Sequence, residues 1–212
     1  MFRKWNYTGK LLAVLPLVCA ATASAASQDP LFLTATNGNT NYLAIVNTKT
    51  KEMDFVPTGG AGGVSGNAGG VAVEGTLAAV VNFGSTNVTI FVRRGNTMEP
   101  MQVIKTSSQP VSAAFGHGHL VVLGQTTAES FPVYGTTVAT SNDGVVQLEI
   151  GDKSAAQIVS YNGGVVYSEK TGGITGLSLD TDGMSGISGP NKVVLLPTAP
   201  NNNTLRHGCK RR

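Results

Sequence analysis

The stretch LAAVVNFGSTNVTIFVRRGNTMEPMQVIKT, residues 77–106, decides the fold. Leu77–Val81 is a short apolar run and Val88–Val92 is a second one. Between them lies Asn82–Asn87, rich in residues that favour turns. The second run is built from β-branched and aromatic side chains, which suit a pleated backbone better than a helix. It crosses a charged turn at Arg93-Arg94 and enters a third run. Short apolar segments bounded by turn residues read as antiparallel strands.

The same wording recurs on both sides. LFLTATN starts at Leu31, LAAVVN at Leu77, LVVLGQ at Leu120 and VVYSEK at Val165, at spacings of 46, 43 and 45 residues. Each start is an apolar run that ends on a polar residue: Asn37, Asn82, Gln125 and Lys170. After Leu123 the chain reads as a longer polar insertion before the next run, Val145–Ile150. Asn37-Gly38, Asp143-Gly144, Asn162-Gly163 and Asp182-Gly183 supply turns, because Asn, Asp and Gly tolerate left-handed backbone. A period of about 40–50 residues with about four short strands per unit is the pattern of β-propeller blades. The expected fold is therefore all-β, a β-propeller of four-stranded blades with about four blades present over residues 26–200.

Composition fits this reading. Charged residues make up 13% of the 212-residue chain and 27 residues are glycine, which suits short strands and tight turns. The N-terminus reads as a secretory signal. Arg3, Lys4 and Lys10 precede an apolar run from Leu11 to Ala23, and Ala23-Ser24-Ala25 offers a cleavage site. That run is shorter than the roughly 20 apolar residues of a membrane span. Residues 1–25 are thus expected to be removed and the protein to be secreted or periplasmic, with no membrane contact afterwards. Without them, Cys209 is the only cysteine, so no internal disulfide is expected. Of 15 basic residues, three lie in the signal and four in the tail at Arg206, Lys210, Arg211 and Arg212. The body between is mildly acidic and offers no nucleic-acid surface.

The stretch from LFLTATNGNTNYLAIVNTKT through VPTGGAGGVSGNAGGVAVEGTLAAVVNFGSTNVTIFVRRGN, and later AQIVSYNGGVVYSEKTGGITGLSLDTDG, resembles the secreted lactonase-type propellers. These are the 3-carboxymuconate cyclase-like or 6-phosphogluconolactonase-like proteins. The resemblance spans about Pro30–Pro200 and implies a seven-bladed design, with a small lactone or carboxylate as ligand in the central channel and no cofactor. Against that design the chain is expected to be truncated, with residues 201–212 an irregular basic tail. Open blade edges would then favour self-association. A non-catalytic extracytoplasmic binding propeller and an inactive truncated family member are the alternatives.

Asn37, Asn82, Glu169 and Lys170 end repeat strands, where a propeller opens its channel, and are the candidate mouth residues. The competing reading of the two asparagines is that they cap turns. His117-x-His119 places two imidazoles on one side of a strand, as metal ligands often stand. The glycines around them read more simply as a turn. Gly59–Gly70, GGAGGVSGNAGG, is rich in backbone N–H groups but lacks both nucleotide-loop spacings, so it reads as an inter-blade connection. No G-x-S-x-G elbow is present. Only two histidines and two arginines lie between residues 26 and 205, few for a catalytic channel. Arg93-Arg94 is expected to be solvated. Asn87-Val88-Thr89 and Asn202-Asn203-Thr204 match the glycosylation pattern.

Overall fold

A computed structural model describes residues 28–63, 69–148, 155–162, 164–170, 172–186 and 192–194. The expected signal and cleavage site, the basic tail with His207 and Cys209, the second glycosylation pattern and the middle of the Gly59–Gly70 connection lie outside the described residues. No described helix is long and apolar enough to cross a membrane.

The strands assort into four antiparallel sheets in chain order. The first contains β1 (Leu31–Ala35), β2 (Tyr42–Asn47) and β3 (Met53–Pro57). The second contains β4 (Val71–Glu74), β5 (Leu77–Asn82), β6 (Asn87–Arg94) and β7 (Thr97–Lys105). The third runs β8 (Pro110–Gly116), β9 (His119–Gly124) and β10 (Thr127–Tyr134), with its outer strand in two pieces, β11 (Thr137–Val138) and β12 (Gly144–Gln147). The fourth runs β13 (Ala155–Tyr161), β14 (Gly164–Glu169) and β15 (Gly173–Asp180), with β16 (Gly183–Gly186) and β17 (Lys192–Val194) sharing the outer edge of β15. Sequential antiparallel sheets of three to five strands packed face to face make this a partial β-propeller.

The apolar runs are continuous rather than alternating because both faces of each middle strand are covered. On β5, Ala78 and Val80 pack with Leu43, Ile45, Phe91 and Met98 against the first sheet. Ala79 and Val81 on the opposite face pack with Leu120, Val122 and Phe131 against the third. Val121, Leu123 and Ala128 then meet Ile158, Val165, Leu177 and Leu179 of the fourth. Each fully buried aliphatic side chain contributes roughly 1.5–3 kcal/mol, so stability is spread over three inter-sheet layers.

The sequence period and the sheets are out of step by one strand. The repeat starts fall on β1, β5, β9 and β14, but the last three of these are the second strands of their sheets. The first strands, β4, β8 and β13, lie innermost and side by side: the Ala113 N–H donates to Gly69 O at 2.9 Å, and the Ile158 N–H donates to Ser112 Oγ at 3.1 Å. Of the candidate mouth residues, Asn82, Glu169 and Lys170 therefore stand at the ends of second strands, and Asn37 follows β1. A second correction concerns the polar insertion after Leu123, which is strand for eight residues, β10. Its Phe131 is fully buried, and its polar Glu129 and Ser130 are satisfied internally. Arg93 is not simply solvated either: its guanidinium donates to the Asp29 carbonyl and to Gly95 O.

Candidate functional site

The ends of β5, β9 and β14 and the beginnings of β4, β8 and β13 meet at one end of the sheets. All four candidate mouth residues lie at this end, but in separate settings. Asn37 closes the β1–β2 connection with left-handed backbone, φ 57°. Its Oδ1 accepts the Gly63 N–H at 2.9 Å, so it anchors the glycine-rich connection.

Asn82 is fully buried and its amide is used up. Its Oδ1 accepts Asn41 Nδ2 at 3.0 Å and the Thr58 hydroxyl at 2.7 Å. Its Nδ2 donates to Asn87 Oδ1 at 2.8 Å and Thr89 Oγ1 at 2.9 Å. An amide has two donor and two acceptor positions, so none is left for a ligand. Asn82 is a joint between the first and second sheets. Asn87 is part of the same joint and Thr89 is buried, which leaves the first glycosylation pattern poorly presented.

Glu169 is buried at the end of β14 and Lys170, half-buried, follows it. The buried hydroxyl oxygens of Ser168, which precedes Glu169 on β14, and of Thr175, opposite Tyr167 on β15, have no hydrogen-bond partner among the described residues. Gln157 stands opposite Ser168 on β13, just past a β-bulge between Ala155 and Gln157. An equivalent bulge on β8, between Pro110 and Ser112, puts Ser112 opposite Leu123. Bulges re-aim side chains beside functional sites. Gly69 lies close to both: an added Cβ would sit 2.5 Å from Ser112 Oγ and 3.7 Å from Gln157 Cγ, at φ +79°. Only glycine lets the backbone come so near.

Two further polar clusters escaped the sequence reading. Glu129 is 1% exposed, accepting the Ser107 N–H at 2.7 Å, the Thr127 hydroxyl at 3.1 Å and Asn142 Nδ2 at 3.1 Å. No described lysine or arginine pairs with it. Its signal was the charge inside Thr127-Ala128-Glu129-Ser130. The other cluster joins His119, Asp143 and Ser130. His119 Nε2 is 2.8 Å from Asp143 Oδ2 and its Nδ1 is 2.8 Å from His117 O. Ser130 donates to Asp143 Oδ1 at 2.6 Å and accepts the Met184 N–H at 2.8 Å. The residue types are those of a hydrolytic triad, but the carboxylate sits in the middle. The serine never touches the imidazole, so the histidine is not placed to take its proton. This is a link between the third and fourth sheets. His117 Nε2 lies 2.7 Å from Tyr161 O, so the two imidazoles of the His-x-His pair serve different partners. No described group of three His, Cys, Asp or Glu is arranged to hold a metal ion.

No protein-family model matches the chain, and no curated protein matches it. Solved structures do. A Bacteroides uniformis protein provisionally named a 6-phosphogluconolactonase superposes with TM-score 0.57 at 14% identity, over 76% of this chain and 52% of that one. A provisionally named 6-phosphogluconolactonase of Bacteroides fragilis gives 0.52 at 15%, over 78% and 54%. BamB of Moraxella catarrhalis gives 0.51 at 11%, over 74% and 50%. The chain spans about half the length of these structures. Identities this low establish the fold, which is that of consecutive propeller blades.

Proposed function

We propose that this is an exported, lactonase-like propeller protein that binds a small lactone or carboxylate at the mouth of its fourth sheet. The observation that carries the proposal is at the end of β14: the buried Ser168 hydroxyl oxygen, without a partner among the described residues, lies across the ladder from Gln157, with Glu169 and Lys170 next in the chain. A buried hydroxyl without a partner costs about 1–3 kcal/mol, which a ligand oxygen would recover. The Lys170 ammonium complements a carboxylate, and Glu169 accepts sugar-type hydroxyls. The likeness to two provisionally named 6-phosphogluconolactonases supports the ligand class. The Ser130–Asp143–His119 arrangement supports binding over acyl transfer to serine. Any ring opening here would use water: Glu169 would take a proton as the water oxygen bonds to the carbonyl carbon, and return it to the ring oxygen as the ring C–O bond breaks.

Calorimetric titration of the chain with glucono-1,5-lactone and with gluconate tests this. Saturable binding is expected, weakened about tenfold or more in Lys170→Met, the ~1.4 kcal/mol of one charge-assisted hydrogen bond. Absence of binding to both compounds, or an unchanged affinity in Lys170→Met, overturns the reading. Fractionation of the native host with N-terminal sequencing tests the export; protein confined to the cytoplasm and beginning at Met1 refutes it.

A further inference from the structure

Three of the four sheets follow one plan and the first departs from it. β5, β9 and β14 are each paired on both edges, with an innermost strand on one side. Their counterpart β1 is paired on one edge only among the described residues. The ladder shows which groups are left over. The Thr48 N–H donates to Pro30 O and the Thr36 N–H donates to Tyr42 O, each at 3.0 Å. Even-numbered residues of β1 therefore address β2. By the alternation of an antiparallel ladder, the N–H and C=O groups of Leu31, Leu33 and Ala35 face the other way. Beside this edge lies a groove of about 300 Å³ whose lining includes Leu31, Leu33, Val71, Val73, Leu77 and Met98. Phe32 is 58% exposed and Val73 57%, whereas every residue of β5 is buried.

The same chain shows what fits such a slot. The strands that fill it elsewhere are Val71–Glu74, Pro110–Gly116 and Ala155–Tyr161. They are four to seven residues long, rich in Val, Ala and Ser, uncharged except at an end, and antiparallel to the strand they cover. The residues just before β1 do not form the equivalent hairpin. In the second sheet the inner strand returns through Gly75-Thr76 directly into β5. Here Gln28 lies outside any strand, and Asp29 is tied to Asn47 and Lys49 of the β2–β3 turn and to Asn96 of the β6–β7 turn.

We propose that the edge of β1 left open among the described residues accepts an extended peptide segment of Val/Ala/Ser type, which adds as an innermost strand. It runs antiparallel to β1, exchanges backbone hydrogen bonds with Leu31, Leu33 and Ala35, and sets alternate side chains into the groove. This is strand addition, in which the backbone supplies affinity and the groove supplies selectivity. An uncovered, apolar edge of this kind is otherwise a template for aggregation.

The probe is a fluorescein-labelled peptide with the sequence of residues 69–76, GGVAVEGT, titrated into the full chain. Saturable polarisation and a raised Tm are expected. The same peptide N-methylated at alternate residues should lose about tenfold or more, because it no longer completes the ladder. Val73→Lys lies on the groove wall outside β1 and should weaken binding while leaving the fold intact. Leu33→Lys should abolish it. Equal binding of the N-methylated peptide, or no binding up to about 1 mM where even weak complexes form, overturns the proposal. So does a concentration-dependent dimer that Leu33→Lys dissociates and the peptide does not, since a second copy would then own the edge.

Discussion

Asn82→Ala should be among the most costly single truncations in the second sheet, and the structure allows the cost to be worked bond by bond. Four hydrogen bonds disappear, but not all of their partners are stranded. The Thr58 hydroxyl can turn fully to Asn41 O, already at 3.0 Å. Thr89 keeps its bond to Thr58 O at 2.7 Å. Asn87 is half-buried, so water can replace the lost donor. Asn41 is completely buried, and only one of its two amide protons is taken by Val81 O. The other is left without an acceptor. One stranded buried donor costs about 1–3 kcal/mol, and the unreplaced bonds and the void add roughly 1 more. The sum is about 3 kcal/mol, or roughly 6–12 °C in Tm for a chain of this size. Thermal and urea melts followed by circular dichroism measure it. Asn82→Asp should cost at least as much, because it turns the donor to Asn87 and Thr89 into an anionic acceptor. A shift below roughly 2 °C for Asn82→Ala, well under 1 kcal/mol, would refute the idea that this amide joins two sheets. If ligand binding were lost at the same time, Asn82 would return as a mouth residue.

Other outcomes follow from the same reasoning. Asp143→Ala removes the acceptor of both His119 and Ser130 and should lower stability by about 2–4 kcal/mol, read as a reduced urea midpoint with an unchanged slope. Gly144→Ala would place a Cβ 2.4 Å from the backbone N and O of Met184. It should separate the third and fourth sheets locally, seen as faster amide exchange in β16 with β5 and β6 unaffected. The Asp29 carboxyl is held below its ordinary value of 3.8, first by the Asn47 hydrogen bond and then by Lys49, with Asn96 adding to them. A lowered folded-state value stabilises above the ordinary value, and that contribution is lost as pH falls through the folded one. Asp29→Asn should therefore flatten the acid limb of the stability curve below about pH 4; an acid limb as steep as that of the unsubstituted chain contradicts the assignment.

The strands that carry large apolar side chains announced themselves in the sequence. Leu77–Val81, Val88–Val92 and Leu120–Leu123 are strands, and their period is that of the sheets. The innermost strands were harder to see, because Val71-Ala72-Val73-Glu74 and Pro110-Val111-Ser112-Ala113-Ala114 are short, small and embedded in glycine- and serine-rich surroundings. They gain their burial from neighbouring sheets rather than from bulk. β10 was hidden for another reason. A strand containing Glu129 and Ser130 looks polar until Ser107, Asn142 and Asp143 are brought to them from elsewhere in the fold. The candidate site shows the same boundary. Strand ends could be ranked by position, but a sequence cannot say whether an amide at such an end turns inward. Asn82 does so because Asn41 and Thr58 arrive from another sheet. Ser168 and Glu169 are buried at the end of β14, which their position in the sequence does not reveal.

The one-strand offset between sequence period and sheet bears on how this chain can be taken apart. A fragment cut on the period, from Leu77 to just before Leu120, would carry β8 away from β9, the strand it pairs with. It would also leave β4 behind without β5. Every such excision breaks two ladders, so a module exchanged on the visible repeat would arrive with its last strand unpaired and its first strand open on one edge. Boundaries placed after the outer strands, between Thr106 and Gln109 for example, sever a single connection and keep each ladder whole. For grafting, circular permutation or limited proteolysis, the unit of exchange in this molecule is the sheet, and the repeat that the eye finds first is its overlap with the next one.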